Sequence, residues 1–599
     1  MSHYTAPIKD TRFLLYDVLD WNRLSSLPAF AEATPDLIDA VLEEGGRICA
    51  DVFAPLNKIG DEIGSTWADR KVTAPPGFKD AYNLYRDGGW TTLSAETEYG
   101  GQGLPQTISA IMAEYISSAN LAFGLFPGLT QGAINALRLH GTDELKNIYM
   151  PPMIAGTWTG TMNLTEPQAG TDLGLLRTKA EPNGDGSYSI TGTKIFISCG
   201  DHDLAENIIH LVLARMPDAP PGVKGISLFI APKFMVNADG SLGEQNKLFC
   251  GSIEEKMGIH ASPTCVMHYE GAKAWLVGEP HKGLKAMFTM MNEARLLVGT
   301  QGLGVAEVAC QSAFSYARDR LQGRGLNGPV YPEKNADPII VHPDVRNMLL
   351  RSKSLVEGMR ALLLDTSFAV DLTHGAATAD ERQEADEFVQ LMTPIVKAMG
   401  TDIGFEVAHW AVQVHGGVGY CRDYPVEQFL RDARITQIYE GTNGIQALDL
   451  VGRKMATGYG RVLRRFFHPA QKFIDENQND AGLAELLFPW IKAFGKLQQA
   501  TVLIAQNSLK DKNEAGAAAS DYLKMFGLVV LGFYWLKMAK AAKAKLESDP
   551  ANKDFYQMKI KTANYFMQRV LPEYESRFRM LASGAKNLMD ISEAELYAA

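Results

Sequence analysis

The feature that most constrains this chain is an abrupt change of period near residue 159. Upstream, residues 36–158 read as helical: Ile108, Ile111, Met112, Tyr115 and Ile116 recur at 3.6-type spacing, and Ala50, Phe53, Leu56 and Ile59 do so more loosely around Pro55. Gly100-Gly101-Gln102-Gly103 and Pro105 break that region between helices. Then the texture shifts. Tyr188–Ile197 alternates after the turn Asn183-Gly184-Asp185-Gly186, and Ile208–Ala214, Ile226–Ala231 and Thr264–Tyr269 are short apolar runs bounded by turn-formers. A stretch of short strands with no helical period between them predicts a compact antiparallel β domain over 159–280.

From Gly283 the helical texture returns. Val345, Met348, Leu349, Leu355, Met359, Leu362 and Leu363 form one stripe, and Phe388, Leu391, Met392, Ile395 and Val396 another. With segments around 285–320 and 405–415, they predict four long helices packed as a bundle over 281–458. The Gly/Pro/Asn-rich run Gln322–Asp337 reads as a surface excursion. A further helical domain spans 459–599, with Leu483, Leu486, Leu487, Trp490, Ile491 and Phe494 on one face and Phe566 and Val570 on another. Residues 1–35 read as an extension packing across the first helical domain. The fold class is mainly α with a central antiparallel β domain, and 599 residues exceed what one core can serve.

Bulk properties exclude several functions. A formal net charge of −11 argues against a general nucleic-acid binder. The cysteines Cys49, Cys199, Cys250, Cys265, Cys310 and Cys421 are scattered without a CxxC pair, which fits a reducing compartment and no thiolate metal site; the histidines show no HExxH, and no metal is expected. Met1–Asp20 lacks the basic start and apolar core of a secretory signal and the Arg-rich, acid-poor character of a transit peptide, and Leu596-Tyr597-Ala598-Ala599 is no peroxisomal address. The apolar run Met525–Leu536 is shorter than the roughly 20 residues a membrane span needs. Lys537, Lys540, Lys543 and Lys545 follow it, as a solvated basic face or as a membrane-surface one. The expected location is the cytoplasm, with at most peripheral contact at the inner membrane.

The chemistry concentrates in Gln437-Ile438-Tyr439-Glu440-Gly441-Thr442-Asn443-Gly444-Ile445-Gln446. It sets one carboxylate between an aromatic and a glycine, where little backbone bulk hinders a ligand. Partial burial beside an aromatic disfavours the charged form and makes such a group a better base near neutral pH. A lone Glu in a Gly-rich turn is ordinarily a polar loop residue. Its company argues otherwise: Arg431-Asp432-Ala433-Arg434, Gln413-Val414-His415-Gly416-Gly417, and, far upstream, Leu164-Thr165-Glu166-Pro167-Gln168-Ala169-Gly170-Thr171.

In that order these segments resemble the signatures of the flavin-dependent acyl-CoA dehydrogenases, from about residue 80 to about 455. The resemblance implies a helical domain, a β domain and a four-helix bundle, with the C-terminal helical domain an addition found in long members of the family. It implies FAD as cofactor, an acyl-CoA thioester as substrate, the trans-2-enoyl-CoA as product, and an electron-transferring flavoprotein as acceptor. In long members the extra domain covers a face that shorter ones use for tetramer assembly, which implies a homodimer. The long bacterial form includes methylmercaptopropanoyl-CoA dehydrogenases and medium- to long-chain fatty enzymes.

Residue by residue, Glu440 matches the family's base. The alternative base position, in Met291-Asn292-Glu293-Ala294-Arg295, holds Ala294, and Glu293 is about 100° away around a helix. Arg295 matches a substrate-contacting Arg and could equally be an ion-pair partner in the bundle; Tyr439, Gly441 and Thr171 complete the substrate set. Met162, Leu164, Thr165, Gly170 and Thr171 match flavin contacts. Phe196-Ile197-Ser198 matches a segment that is commonly Trp-Ile-Thr, so Phe196 can stack and Ser198 keeps the hydroxyl, whereas an indole contact is lost. Arg320 matches an Arg that reaches the flavin pyrophosphate of the other subunit. Leu321-Gln322-Gly323 stands where Thr-Phe-Gly is usual, and Gln322 can hydrogen bond in place of the Thr; Gln413, Gly416 and Gly417 match the loop beside the adenosine diphosphate half, and Thr442 matches a further flavin contact. Two other readings remain open: an acyl-CoA oxidase, in which oxygen reoxidises the flavin, and a flavin-containing nucleic-acid-associated protective protein.

Overall fold

The computed structural model describes residues 4–598; Met1 and Ala599, at the ends of the stretches read for targeting signals, lie outside the described residues. The chain divides into two units, residues 40–297 and residues 7–39 with 298–599.

In the first unit the helical region includes Ala54–Ile63, Phe78–Asp87, Gln106–His140 and Asp143–Ile154. The long helix is interrupted at Asn120, whose backbone is extended (φ −161°, ψ 92°). Its Oδ1 accepts from Phe123 N at 3.0 Å and its Nδ2 donates to Phe53 O at 3.3 Å. Asn120 thus caps a second helix that begins where the first stops, a local side-chain bond that the apolar stripe does not reveal.

The sheet has seven strands. Tyr188–Ser198, Asn207–Arg215, Ile226–Pro232 and Thr264–Val277 appear where the apolar runs predict them. The last of these pairs with Tyr188–Ser198 through its first part and with Ile226–Pro232 through its end, so the strands close into a ring. The sheet departs from the all-antiparallel expectation at Trp158–Asn163, which runs parallel to Asn207–Arg215. Two other strands intervene in sequence, giving the crossover length that parallel pairing requires. Asn207–Arg215 shows no alternation because both its faces are buried: Ile209, Leu211 and Leu213 join one core with Ala133, Leu137 and Met153, and Val212 and Ala214 join another with Ile190 and Phe229. Gly160 N donates to Thr130 Oγ1 at 3.0 Å, and a Cβ on Gly160 would come within 2.6 Å of Ala133 Cβ.

In the second unit, the segments 388–396 and 405–415 lie on one helix, Ala379–His415, rather than two. It packs against Pro343–Gly375 and against the C-terminal part of Gly283–Asp319, and the shorter Val426–Thr436 packs on it as well. Backbones nearly touch where Gly302 and Gly400 meet, since a Cβ on Gly302 would stand 2.3 Å from Gly400 O. The added C-terminal helices surround Lys512–Ser548, in which Met525 to Leu536 is buried. Trp535 Nε1 donates to Ser354 O at 3.0 Å and Tyr534 OH to Asp365 Oδ2 at 2.7 Å, tying this helix to Pro343–Gly375.

Gln106–His140 and Lys512–Ser548 are long and apolar enough to cross a membrane by length and composition, and most of each apolar window is buried inside the protein. Three of the lysines after Leu536 have partners: Lys545 pairs with Asp17 at 2.7 Å, and Lys537 and Lys540 lie over Tyr534 and Phe473. Residues 7–39, expected to pack across the first helical domain, group instead with the bundle and the C-terminal helices, where Phe13 meets Phe555 and Trp21 meets Phe368. All six cysteines are free thiols.

Candidate active site

Within residues 40–297 the predicted flavin contacts gather where the loop after Trp158–Asn163 meets the strand Tyr188–Ser198. Ile195 N donates to Thr165 O at 2.9 Å, and Lys194 Nζ donates to Leu164 O at 3.0 Å and to Glu166 Oε1 at 2.9 Å. Glu166 is saturated: Thr178 N, Arg177 N, Gln168 Nε2 and Thr178 Oγ1 donate to it as well. Lys194 pairs with Met267 and Ile197 with Cys265, so Ile195 and Phe196 together stand opposite Val266, a bulge that re-aims a side chain. Phe196 adopts φ 58° and is 59% exposed.

A large aromatic held out of the core by a strained bulge fits a planar ligand laid against it. Thr165 and Ser198, both half-buried, have hydroxyls without a hydrogen-bond partner among the described residues. Met162 is half-buried and Leu164 buried. Gly170 and Thr171 are exposed, and a Cβ on Gly170 would meet nothing within 4 Å. This donor set and open backbone fit a flavin.

Arg295 is buried and donates to Asn292 Oδ1 at 3.3 Å. Glu293 turns to helix Gln106–His140, where Asn135 Nδ2 donates to it, and burial pushes its carboxyl up to about 7 against the opposing influence of Asn135 and Arg138.

Within the second unit, Glu440 lies in the tight turn between Val426–Thr436 and Asn443–Asp449, with φ 57° at Glu440 and 85° at Gly441. Left-handed backbone costs a non-glycine residue about 1–2 kcal/mol, so the surroundings must impose it. They do. Gln446 Nε2 donates to Glu440 O at 3.1 Å and Gly441 O at 3.0 Å. Asn443 N donates to Gln437 O at 3.2 Å, and Thr442 Oγ1 accepts from Ile445 N as the cap of the next helix. Tyr439 OH donates to buried Gln301; burial, then Glu440 and Asp432, push the phenol well above its ordinary range.

Arg320, Gln413, Gly416 and Gly417 gather at one end of the bundle. Tyr316 stacks on His415 at 4.2 Å, which brings the ends of their two helices together. All four residues are exposed, Arg320 has no side-chain partner among the described residues, and a Cβ on Gly416 or Gly417 would meet nothing within 4 Å. Gln322 is exposed and anchored by its backbone, its N–H donating to Asp337 O at 2.9 Å. Buried Asp337 organises the excursion by accepting from Gly325 N, Val330 N and Tyr331 N.

Sequence reasoning missed Gln301, Lys397 and Asp402, which support the Glu440 turn, and gave no role to Gln446 within the site segment. The local signal for Lys397 and Asp402 is Lys397-Ala398-Met399-Gly400-Thr401-Asp402, a polar interruption in the apolar stripe of a buried helix.

The comparisons agree with this architecture. Family models match in chain order: the acyl-CoA dehydrogenase N-terminal domain over 61–157, the middle domain over 161–272, the C-terminal domain over 281–455, and the acetyl-CoA dehydrogenase C-terminal-like domain over 466–592. The chain is 43% identical to the 3-methylmercaptopropionyl-CoA dehydrogenase of Ruegeria pomeroyi, over 98% of this chain and 100% of that one. It is 34% identical to a butyryl-CoA dehydrogenase of Syntrophomonas wolfei, over 99% of each. Its fold is that of a Bacillus anthracis acyl-CoA dehydrogenase complexed with FAD, with a TM-score of 0.73, 21% identity, and coverage of 92% of this chain and 89% of that one. This chain belongs to the acyl-CoA dehydrogenase family and is a flavin-dependent oxidoreductase with FAD as its cofactor.

Proposed function

We propose that the protein dehydrogenates an acyl-CoA thioester between its α and β carbons, giving the trans-2-enoyl-CoA, with Glu440 as the base that takes the α proton. The observation that carries this reading is the left-handed conformation of Glu440, a titratable residue whose backbone is pinned in a strained turn. Strain imposed on a titratable residue is a mark of pre-organisation.

We assign FAD binding to Met162, Leu164, Thr165, Gly170, Thr171, Phe196 and Ser198 in one unit, and to Arg320, Gln322, Gln413, Gly416, Gly417 and Thr442 in the other. Bound FAD supplies the acceptor for the β hydride. Glu440 holds the abstracted proton, and its backbone N–H is the donor we assign to the thioester oxygen, where negative charge develops. Thr171, Arg295, Tyr439 and Gly441 line the substrate. The electrons leave to an electron-transferring flavoprotein.

A homodimer is the working unit in this reading. Its support is the exposed cluster of Arg320, Gln413, Gly416 and Gly417: on helix Ala379–His415, Gln413 lies roughly 17 Å from Asp402, which holds the Glu440 turn. Such a cluster is free to serve a partner's flavin. Likeness to a thioether-acyl-CoA dehydrogenase and a butyryl-CoA dehydrogenase supports a short linear or thioether acyl group.

The test is anaerobic addition of acyl-CoAs of increasing length, with 3-methylmercaptopropanoyl-CoA among them, to the yellow holoenzyme. At least one is expected to bleach the flavin, and Glu440→Gln is expected to retain FAD while slowing bleaching by about 10²- to 10⁴-fold. Bleaching at the wild-type rate in Glu440→Gln would remove Glu440 as the base.

A further inference from the structure

Asp402 sits on helix Ala379–His415 with its Oδ1 facing two side-chain amides. Gln437 Nε2 donates to it at 2.7 Å and Asn443 Nδ2 at 2.8 Å. Those two residues stand three before and three after Glu440, so one carboxylate oxygen ties both ends of the turn. The orientation of the Asn443 amide is imposed. Buried Lys397 donates to its Oδ1 at 2.8 Å, and an ammonium can only donate. The amide's NH2 is therefore left for Thr401 Oγ1 at 3.0 Å and for Asp402. The other oxygen of Asp402 lies 3.6 Å from Lys524 Nζ, on the added helix Lys512–Ser548. That lysine side chain is 41% exposed, and such a pair is screened and weak.

We infer that Asp402 is a positioning residue for Glu440: its Oδ1 acts as a twofold acceptor whose geometry, not its charge, holds the left-handed turn. The inference rests on Glu440 being the base. Neutral amide donors need an oxygen in the right place, and a carbonyl oxygen serves them as well as a carboxylate. Without that acceptor, the Gln437 amide loses its partner and Asn443 is left with Thr401 Oγ1 and Ala398 O on its own side of the turn, so the two ends of the turn are no longer tied together and Glu440 and Gly441 are free to relax toward right-handed backbone. The carboxylate then swings off line. Small misplacements of a reacting group are costly in rate and not in binding.

The experiment is stopped-flow flavin bleaching under anaerobic conditions on the full-length holoenzyme, with butanoyl-CoA and 3-methylmercaptopropanoyl-CoA as probes. Asp402→Leu, which fills space and accepts nothing, is expected to lower the limiting bleaching rate about 10- to 100-fold, with FAD content and half-saturating acyl-CoA changed less than about threefold. Asp402→Asn keeps one carbonyl oxygen for both amides and is expected to stay within about threefold of wild type, as is Lys524→Met.

A wild-type rate in Asp402→Leu overturns the inference, and so does an Asp402→Asn as slow as Asp402→Leu, which would make charge the cause. A raised half-saturation with an unchanged limiting rate overturns it too. Should Asp402→Leu fail to fold, Gln437→Leu removes one of the two donors, and a wild-type limiting rate there is equally fatal. Glu440→Gln is the control: normal bleaching in it brings down the base assignment and this inference together. Slow bleaching in it beside a normal Asp402→Leu brings down this inference alone.

Discussion

Lys194 and Glu166 form an ion pair at 2.9 Å with both side chains sealed from water, 0% and 3% exposed. The same ammonium holds Leu164 O, so the loop carrying Leu164 and Thr165 and the strand carrying Phe196 are joined through one buried charge. Removing one partner of such a pair leaves the other charge buried and uncompensated. Lys194→Met is expected to destabilise the protein by about 3–5 kcal/mol and to lower FAD retention. Chemical denaturation and the flavin-to-protein absorbance ratio read both; an unchanged midpoint with full flavin would refute the role given to the pair.

The pair also has a pH signature. Burial works to raise the Glu166 carboxyl, but the charge of Lys194 and the hydrogen bonds from Thr178 and Arg177 outweigh it, holding the group at about 2 rather than 4.5. As pH falls the unfolded chain takes up the proton first, so the stabilisation is complete above about 4.5 and is lost progressively toward 2. The denaturation midpoint should fall on acidification below that point, and should fall less steeply in Glu166→Gln. Parallel curves for the two proteins would count against it.

Phe196 tests the flavin face. Its ring is largely exposed and contributes little to the core, while its backbone is strained. Phe196→Ala is expected to leave apoprotein thermal stability within about 0.5 kcal/mol and to weaken FAD binding, because the loss falls on the ligand contact. Titration of apoprotein with FAD measures it, and equal affinity in the two proteins would show that the ring does not meet the flavin.

Gln446 separates activity from stability. It is fully buried, its Nε2 holds the carbonyls of Glu440 and Gly441, and its Oε1 has no partner among the described residues. Gln446→Leu removes an unsatisfied buried acceptor as well as two bonds, so the net stability change is expected to be small. The bleaching rate is expected to fall about tenfold as the turn loosens. A large loss of thermal stability with an unchanged rate would reverse the assignment.

A charge-balanced group joins the N-terminal segment to the C-terminal helices: Asp10, Glu307 and Glu357 with Lys353, Arg360 and Lys559. Lys559 donates to Asp10 and, at 2.9 Å, to Glu357. Lys559→Met is expected to cost about 3–5 kcal/mol by leaving carboxylates underpaired, and to expose residues near Asp10 to protease. Wild-type proteolysis kinetics at the N-terminus would show that Lys559 does not anchor it.

Much of the architecture was legible because it is periodic. Strands such as Ile226–Pro232 and helices such as Pro343–Gly375 are local consequences of where apolar residues recur, and their ranges follow the stripes closely. Where local chemistry competes with period, the reading failed. Asn120 breaks a helix whose stripe runs on, and 388–396 joins 405–415 because Pro394, Gly400 and Gly404 do not end a helix packed against its neighbours. The parallel strand Trp158–Asn163 is another such case, since strand direction is a property of the crossover and not of the residues in the strand.

By itself, the sequence determined the kinds of element, their order, and the Glu-Gly turn that marks Glu440, because each depends on residues adjacent in the chain. Only the tertiary structure decided what holds that turn and what aims Phe196. Asp402 meets Gln437 and Asn443, and Lys194 meets Glu166, across separations that no local pattern encodes. The physical reason is that a hydrogen bond needs its partners within about 3 Å, and for residues far apart in sequence that proximity is set by helix register and strand pairing after the chain has packed.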